Sequence, residues 1–534
     1  LLLAVMLAGV ATPALADAAP SHLSDYLKAR AADADGDAAL AATRYADALS
    51  AAPGNPVVAL RAYRAALDAG DDALTDRAAG ALTAAAVAPA DSAVIALAAA
   101  IDASDKHGAD AAIDRVGAGP LDFMAPVLRA WQAFDNDDKD PLAPLTAGAG
   151  NSLGRRYAAE NRALLLIATG KTDDGVAAVQ ALLGMDQASF DFRVNAAQLL
   201  AAKGKGDAAR ELLAGDDRVI AALRASLGDG RKPSFAFGAS RLFDRLAADL
   251  SHDTPGPLSI VLTRASLRLD PHDDRARLLL AQTLEGKDET ALALKALDGV
   301  DPAGPFADIA RGARVAVLGD AGDDAQALTA AKAINGAPGA TAQDAQRYGD
   351  ALIALKLNAE AAQAYDQAIQ RAGPAADWSM YLQKGGALDE AGQWPAARAA
   401  LQKAVALAPN EPLALNYLGY AEIEHGEDVA AARKLLETAS ALKPADPAIT
   451  DSLGWAYFKQ GDSAKALPLF ERAVEGQPAD ETINEHLGDA YWKAGRRFEA
   501  RYAWRAAAIT ADPADQSRLT AKIEDGLGAG PVEH

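Results

Sequence analysis

Asp451-Ser-Leu-Gly-Trp-Ala-Tyr457, then Gly461-Asp462, then Ala466, Phe470 and Ala473, closed by Pro478, is one copy of the pattern that organises this chain. Leu453, Gly454 and Tyr457 fall within one helical turn on one face, and the missing Cβ of Gly454 lets a second helix approach closely. Gly461 and Asp462 supply a turn. The second helix carries Ala466, Phe470 and Ala473 at i, i+4 and i+7, a continuous apolar stripe, and Pro478 stops it. The scheme recurs with Leu487, Gly488, Tyr491, Gly495, Ala500, Trp504 and Ala507. Two earlier copies place Ala397, Leu401 and Ala404, then Ala432, Leu436 and Ala439, in the second helix. The leading glycines, Gly385, Gly419, Gly454 and Gly488, are 34, 35 and 34 residues apart, one inserted residue before Ala432 making the longer step. A second glycine follows each by seven residues (Gly392, Gly426, Gly461, Gly495), and Pro409, Pro444, Pro478 and Pro513 keep the same step.

Four consecutive copies of L-G-x-x-Y…G…A-x-x-x-F-x-x-A…P at this period resemble the tetratricopeptide repeat family, whose helix-turn-helix unit buries its apolar face only against its neighbours. The resemblance implies an all-α fold, a superhelical solenoid of antiparallel helix pairs, and a non-enzymatic protein that binds other proteins. The stretch from Asp451 through His486-Leu-Gly-Asp-Ala-Tyr-Trp492 to Ala503-Trp504-Arg505 is further similar to the C-terminal part of bacterial envelope tetratricopeptide adaptors. Some of those are outer-membrane lipoproteins serving periplasmic proteases and cell-wall hydrolases. The chain has no Cys, so the lipid-accepting residue of such lipoproteins is missing. In this family the first helices of successive pairs line a groove for peptides or partner helices. The positions matching that face are Asn416, Tyr420, Asp451, Trp455, Phe458, Glu485, Asp489 and Trp492. An alternative for Trp455 and Trp492 is packing between neighbouring first helices. Asp451 and Glu485 stand where chaperone-binding members carry Lys, which argues against a cytosolic co-chaperone.

Upstream the same offsets weaken. Gly36, Ala41, Tyr45, Ala48 and Pro53 reproduce the second-helix spacing; Gly70 lies 34 residues after Gly36 and Gly204 lies 34 after Gly170. Leu278 to Leu297, and Tyr348 to Pro374 with Ala361, Tyr365 and Ala368, also read as helix pairs. The expected organisation is a signal peptide at 1–16, repeats at 17–106, an irregular or degenerate segment rich in Gly, Pro and Asp at 107–155, degenerate repeats at 156–340, a well-formed array at 341–515, and a capping helix with tail at 516–534. Gly230 and Pro233 mark another interruption at 229–234.

Composition agrees with closely packed helices and narrows the function. Half of the 534 residues are hydrophobic and only 5% are aromatic. A net charge of −21 lacks the basic footprint that phosphate backbones and anionic membranes require. Without Cys there is no disulfide framework, thiolate metal site or nucleophilic thiol. The apolar run Leu1 to Val10, Pro13 and the small residues of Ala14-Leu15-Ala16 match a signal peptide with a truncated start, cleaved after Ala16, and so predict a periplasmic protein.

Catalytic motifs are incomplete. Leu165 replaces the first Gly of a phosphate loop ending at Gly170-Lys171-Thr172, Pro233 spoils a dinucleotide loop at Gly228-Asp229-Gly230, and the surroundings of Ser240 lack the second Gly of a nucleophile elbow. His22, His107, His252, His272, His425, His486 and His534 have no metal-ligand spacing, while Asp173-Asp174 and Asp323-Asp324 fit helix caps. No catalytic, cofactor or metal residue is therefore assigned. Lys493, Arg496, Arg497, Arg501 and Arg505 form a basic cluster suited to solvation, to neighbouring acids or to an acidic partner. The sequence points to an adaptor of the cell envelope holding protein partners, such as a periplasmic protease or cell-wall hydrolase, with no nucleic acid and no transmembrane span. A structural part of an envelope secretion or polysaccharide-export assembly is the alternative.

Overall fold

The computed structural model describes residues 22–146, 152–184, 190–251 and 256–527. The expected signal segment 1–16, His252, His534 and the end of the tail lie outside them. Among the described residues there are 29 α-helices and no strand. None of these helices is long and apolar enough to cross a membrane. The chain divides into two compact units between Gly322 and Asp323, eighteen positions before the array start read from sequence.

The second unit is a regular stack of antiparallel helix pairs, the solenoid arrangement. Its pairs are Ala342–Ala354 with Asn358–Ala372, Trp378–Glu390 with Trp394–Leu407, Pro412–Glu424 with Val429–Leu442, Pro447–Lys459 with Ser463–Gly476, and Glu481–Lys493 with Arg497–Thr510. In each pair the leading glycine of the first helix receives the large residue of the second. A Cβ on Gly454 would lie 2.9 Å from the Phe470 ring, and one on Gly488 would lie 2.4 Å from Trp504. The second glycine adopts the left-handed turn, with φ +81° at Gly461 and +79° at Gly495, where an L side chain is strained. Carboxylates start the helices: Asp446 accepts from the amides of Ala448 and Ile449, and Asp480 from Ile483. Between neighbouring pairs a phenol recurs at the repeat distance. Tyr457 donates to Glu437 at 3.0 Å and Tyr491 to Glu471 at 2.9 Å. Pro513 follows the end of Arg497–Thr510 and opens the helix Pro513–Asp525, where its missing N–H costs nothing.

The first unit is helical but not purely a chain of neighbours. Pairs run from His22–Ala34 with Ala38–Ala51 through Ser92–Asp102 with Lys106–Gly117. Residues 107–155, read as irregular or degenerate, hold most of Lys106–Gly117 and the whole of Ala125–Asp135, whose apolar face is anchored by the fully buried Trp131. Packing decides there over the local Gly, Pro and Asp content. After the break at 227–234 the chain turns inward. Helix Phe235–Leu250 packs on Ala125–Asp135, a Cβ on Gly238 having no room beside the Trp131 ring (2.0 Å). Helix Pro257–Leu269 then packs on Ser92–Asp102 and Pro56–Ala69. Arg264 donates to the carbonyls of Leu67 (2.9 Å) and Asp68 (2.7 Å), capping the C-terminal end of Pro56–Ala69, and Arg268 grips Asp76 with two bonds of 2.8 and 2.9 Å. The inner face of these repeats is thus occupied by the chain itself.

This inward hairpin buries ionisable groups. Arg241 pairs with Asp244, Asp270 and Asp273, and Arg245 with Glu160 and Asp249. Burial pushes the Glu160 and Asp244 carboxyls up to about 7. A cavity of about 310 Å³ adjoins the Arg241 cluster.

Candidate partner-binding groove

The leading glycine fixes which side chains of a first helix face the open side. Residues three before and one after it, namely Asn416 and Tyr420 around Gly419 and Asp451 and Trp455 around Gly454, belong to the face turned away from the second helix. Asn416, Tyr420 and Asp451 line a cavity of about 660 Å³ running over helices Trp378–Glu390, Pro412–Glu424 and Pro447–Lys459 to the start of Glu481–Lys493. Asp389, Tyr417, Glu424, His425 and Asp480 complete its polar wall. Tyr417 and Tyr420 are half-buried, and burial pushes the Tyr417 hydroxyl up to about 12 and the Tyr420 hydroxyl higher still. His425, on the turn after its helix, stacks on Trp394 at 4.1 Å and meets Asp389 at 2.6 Å.

The other expected groove residues do not line this cavity. Trp455 is only 7% exposed; its ring lies between His486 (3.8 Å) and Phe458 (5.2 Å), and its N–H donates to Glu424 at 2.6 Å. It therefore packs between adjacent first helices, the alternative left open by the sequence, and Phe458 stacks beneath it. Glu485 and Asp489 are buried under helix Pro513–Asp525. Lys522 donates to Glu485 at 2.6 Å and to both oxygens of Asp489 at 2.8 Å, and Arg518 also pairs with Glu485. Burial lowers the Lys522 ammonium, while Asp489 acts against that shift. Trp492 lies against Trp504 (5.4 Å), beneath Arg497 and Arg501, and beside Gly526.

Asp389, Tyr417 and Asp480 were not singled out from sequence. Tyr417 stands two residues before Gly419, the offset at which Ser452 also lines the cavity, so aligning the copies position by position reveals it. The basic cluster splits into separate roles. Arg496 pairs with Glu471 and Glu499, Arg501 donates to the Ile523 carbonyl at 2.8 Å, and Arg505 lies over Tyr502. The rejected motifs are structural: Gly170 turns with φ +88°, Ser240 is buried and donates to the Phe237 carbonyl, and Asp323 caps Asp324–Asn335.

Three solved structures illustrate the similarity found among known proteins. MamA is 25% identical, with 33% of this chain and 96% of that chain covered and a TM-score of 0.26. A thermophilic tetratricopeptide repeat protein of Thermus thermophilus, TTC0263, is 21% identical, with 35% and 99% covered and a TM-score of 0.31. The Cut9–Hcn1 hetero-tetramer of the APC/C contains a chain 16% identical, with 95% and 96% covered and a TM-score of 0.39. No curated protein matches. The family model described as Tetratricopeptide repeat matches residues 161–215, 382–447 and 452–516. The contacts of the leading glycines in the last two stretches, with Leu401 and Leu436 and then with Phe470 and Trp504, are those its period requires, and over the matched residues the chain is built of tetratricopeptide repeats, the fold of a protein–protein interaction scaffold.

Proposed function

We propose that the chain is a non-enzymatic adaptor of the bacterial cell envelope, exported to the periplasm by its N-terminal segment, which holds a protein partner in the groove over residues 378–483. The partner class that fits the resemblance of the C-terminal repeats is a periplasmic protease or cell-wall hydrolase. One observation carries the site: the groove over Asn416, Tyr420 and Asp451 stays open, whereas the same face one repeat later is covered by Lys522 and Arg518. Half-buried tyrosines beside polar groups give a partner apolar area together with orientation.

The test is a photo-crosslinking amino acid at Tyr417 in the groove, or at the exposed Lys403 on the outer side, in envelope extract of the source bacterium. Capture of one partner from Tyr417 and none from Lys403 is the expected result. The reverse pattern would move the site out of the groove. The alternative, a structural part of an export assembly, draws on Phe498, Tyr502 and Ile509, exposed by 71, 57 and 83% on the last second helix. A crosslinker at Tyr502 capturing a membrane-assembly component, with none captured from Tyr417, would favour it.

A further inference from the structure

The groove has one sign of charge and no cation to match it. Asp389, Glu390, Glu424, Asp451 and Asp480 line it, and among the described residues no Lys or Arg does. The cationic or titratable groups around it are His425 and His486, each already against an Asp, Lys459, 3.6 Å from Glu424 at the rim, Arg518, near Tyr420 but paired with Glu485, and Lys356, near Glu390 but paired with Asp512. Two acceptors at its floor are buried without a hydrogen-bond partner: Oδ1 of Asp451, a residue 4% exposed, and Oδ1 of Asn416. The second Asp451 oxygen is held by His486 Nδ1 at 2.8 Å, so the carboxylate cannot turn away to find water. A buried acceptor with no donor is costly and is satisfied most strongly by a charged N–H.

We propose, building on the groove as the partner site, that it takes an Arg or Lys side chain from an extended segment of the partner protein. The cation enters as the half-buried Asn416 side chain turns toward it and donates to Oδ1 of Asp451 and of Asn416, with Tyr417 and Tyr420 beside it. An acidic or C-terminal carboxylate group would meet like charge here, which is how the groove discriminates. The aromatic rings add a face on which the stem or guanidinium packs.

The experiment is calorimetric titration of the full chain with an acetylated, amidated peptide of alternating Arg and Ser, and with the same peptide carrying Gln or Glu in place of Arg. The Arg peptide is expected to bind at least about tenfold more tightly than the Gln peptide, and more weakly as salt is raised. Asp451→Asn should weaken it by about tenfold or more. Asn416→Ala, at a half-buried position holding no internal bond through its carbonyl, should weaken it while the melting temperature holds, which guards against a misfolded Asp451 variant. Equal binding of the Arg and Gln peptides, preference for Glu, or binding unmoved by both variants overturns the cation assignment, while crosslinks at Tyr417 would leave the groove reading intact. Absence of crosslinks at Tyr417 would remove the groove and the assignment with it.

Discussion

Alanine at Gly488 tests the register directly, because the same substitution should change sign with position. In an open helix interior Ala is better than Gly by about 0.8–1 kcal/mol. Gly80, within Asp72–Ala84, has nothing within 4 Å of an added Cβ, so Gly80→Ala should stabilise by about that amount. At Gly488 the added methyl would sit 2.4 Å from both Cδ1 and Nε1 of Trp504. That ring is fully buried, and its N–H is tied to Asp489 at 2.9 Å, which Lys522 holds in turn. It cannot swing aside, so the substitution must part the two helices. Overpacking of this kind costs about 1–3 kcal/mol, and an overlap this close belongs at the upper end. Subtracting the helix gain leaves a net loss of about 2 kcal/mol, or a melting temperature lower by roughly 4–8 °C for a unit of this size. Gly454→Ala meets the Phe470 ring only at 2.9 Å and should lose less. Thermal unfolding followed by near-UV circular dichroism reads all three. A melting temperature raised by Gly488→Ala as by Gly80→Ala would refute the pairing of glycine and aromatic.

Lys522→Ala leaves the Glu485 and Asp489 carboxylates buried without their main cation, at a cost of about 3 kcal/mol. Hydrogen exchange should then show helix Pro513–Asp525 losing protection before the rest of its unit. Trp455→Ala empties a site between His486 and Phe458 and should cost about 3–5 kcal/mol, so urea unfolding of this variant must shift strongly. Glu160 and Asp244 are raised to about 7 when folded. Between about pH 4 and 7 the folded state therefore holds protons that the unfolded chain has released, and this contribution makes stability fall as pH rises. Melting curves at pH 5 and pH 8 should show that slope, and Glu160→Gln should flatten it.

The period was legible because each copy spends its informative residues on contacts inside one helix pair. Gly454 with Phe470 and Gly488 with Trp504 are local contacts, so spacing alone implies them. What spacing does not encode is a contact made far along the chain. Lys522 and Arg518 covering Glu485 and Asp489, and Arg264 reaching Leu67, depend on where a later helix lands. Expecting all eight groove positions to be open assumed that nothing of the chain returned to that face. Asn416 and Tyr420 line the open groove with Asp451 buried at its floor, and the positions near helix Pro513–Asp525 lie outside it. The unit boundary was also illegible, since Gly322 turns at φ +74° like the turn glycines inside the repeats.

Arg264, bonded to a carbonyl 197 positions earlier, bears on how the two units can change in evolution. An array whose members touch only adjacent members tolerates duplication or loss of a member, because the new junction resembles the old one. Within the stretch from Trp378 to Thr510 the contacts run between adjacent members, the exposed Lys356–Asp512 pair across its ends apart, so its copy number can drift. The first unit does not. Removing or adding a helix pair between Asp76 and Arg268 would displace the inward hairpin from Asp76, Leu67 and the Trp131 pocket together. Its length is fixed by closure, so change there is confined to single residues, which is consistent with the weaker repeat pattern upstream.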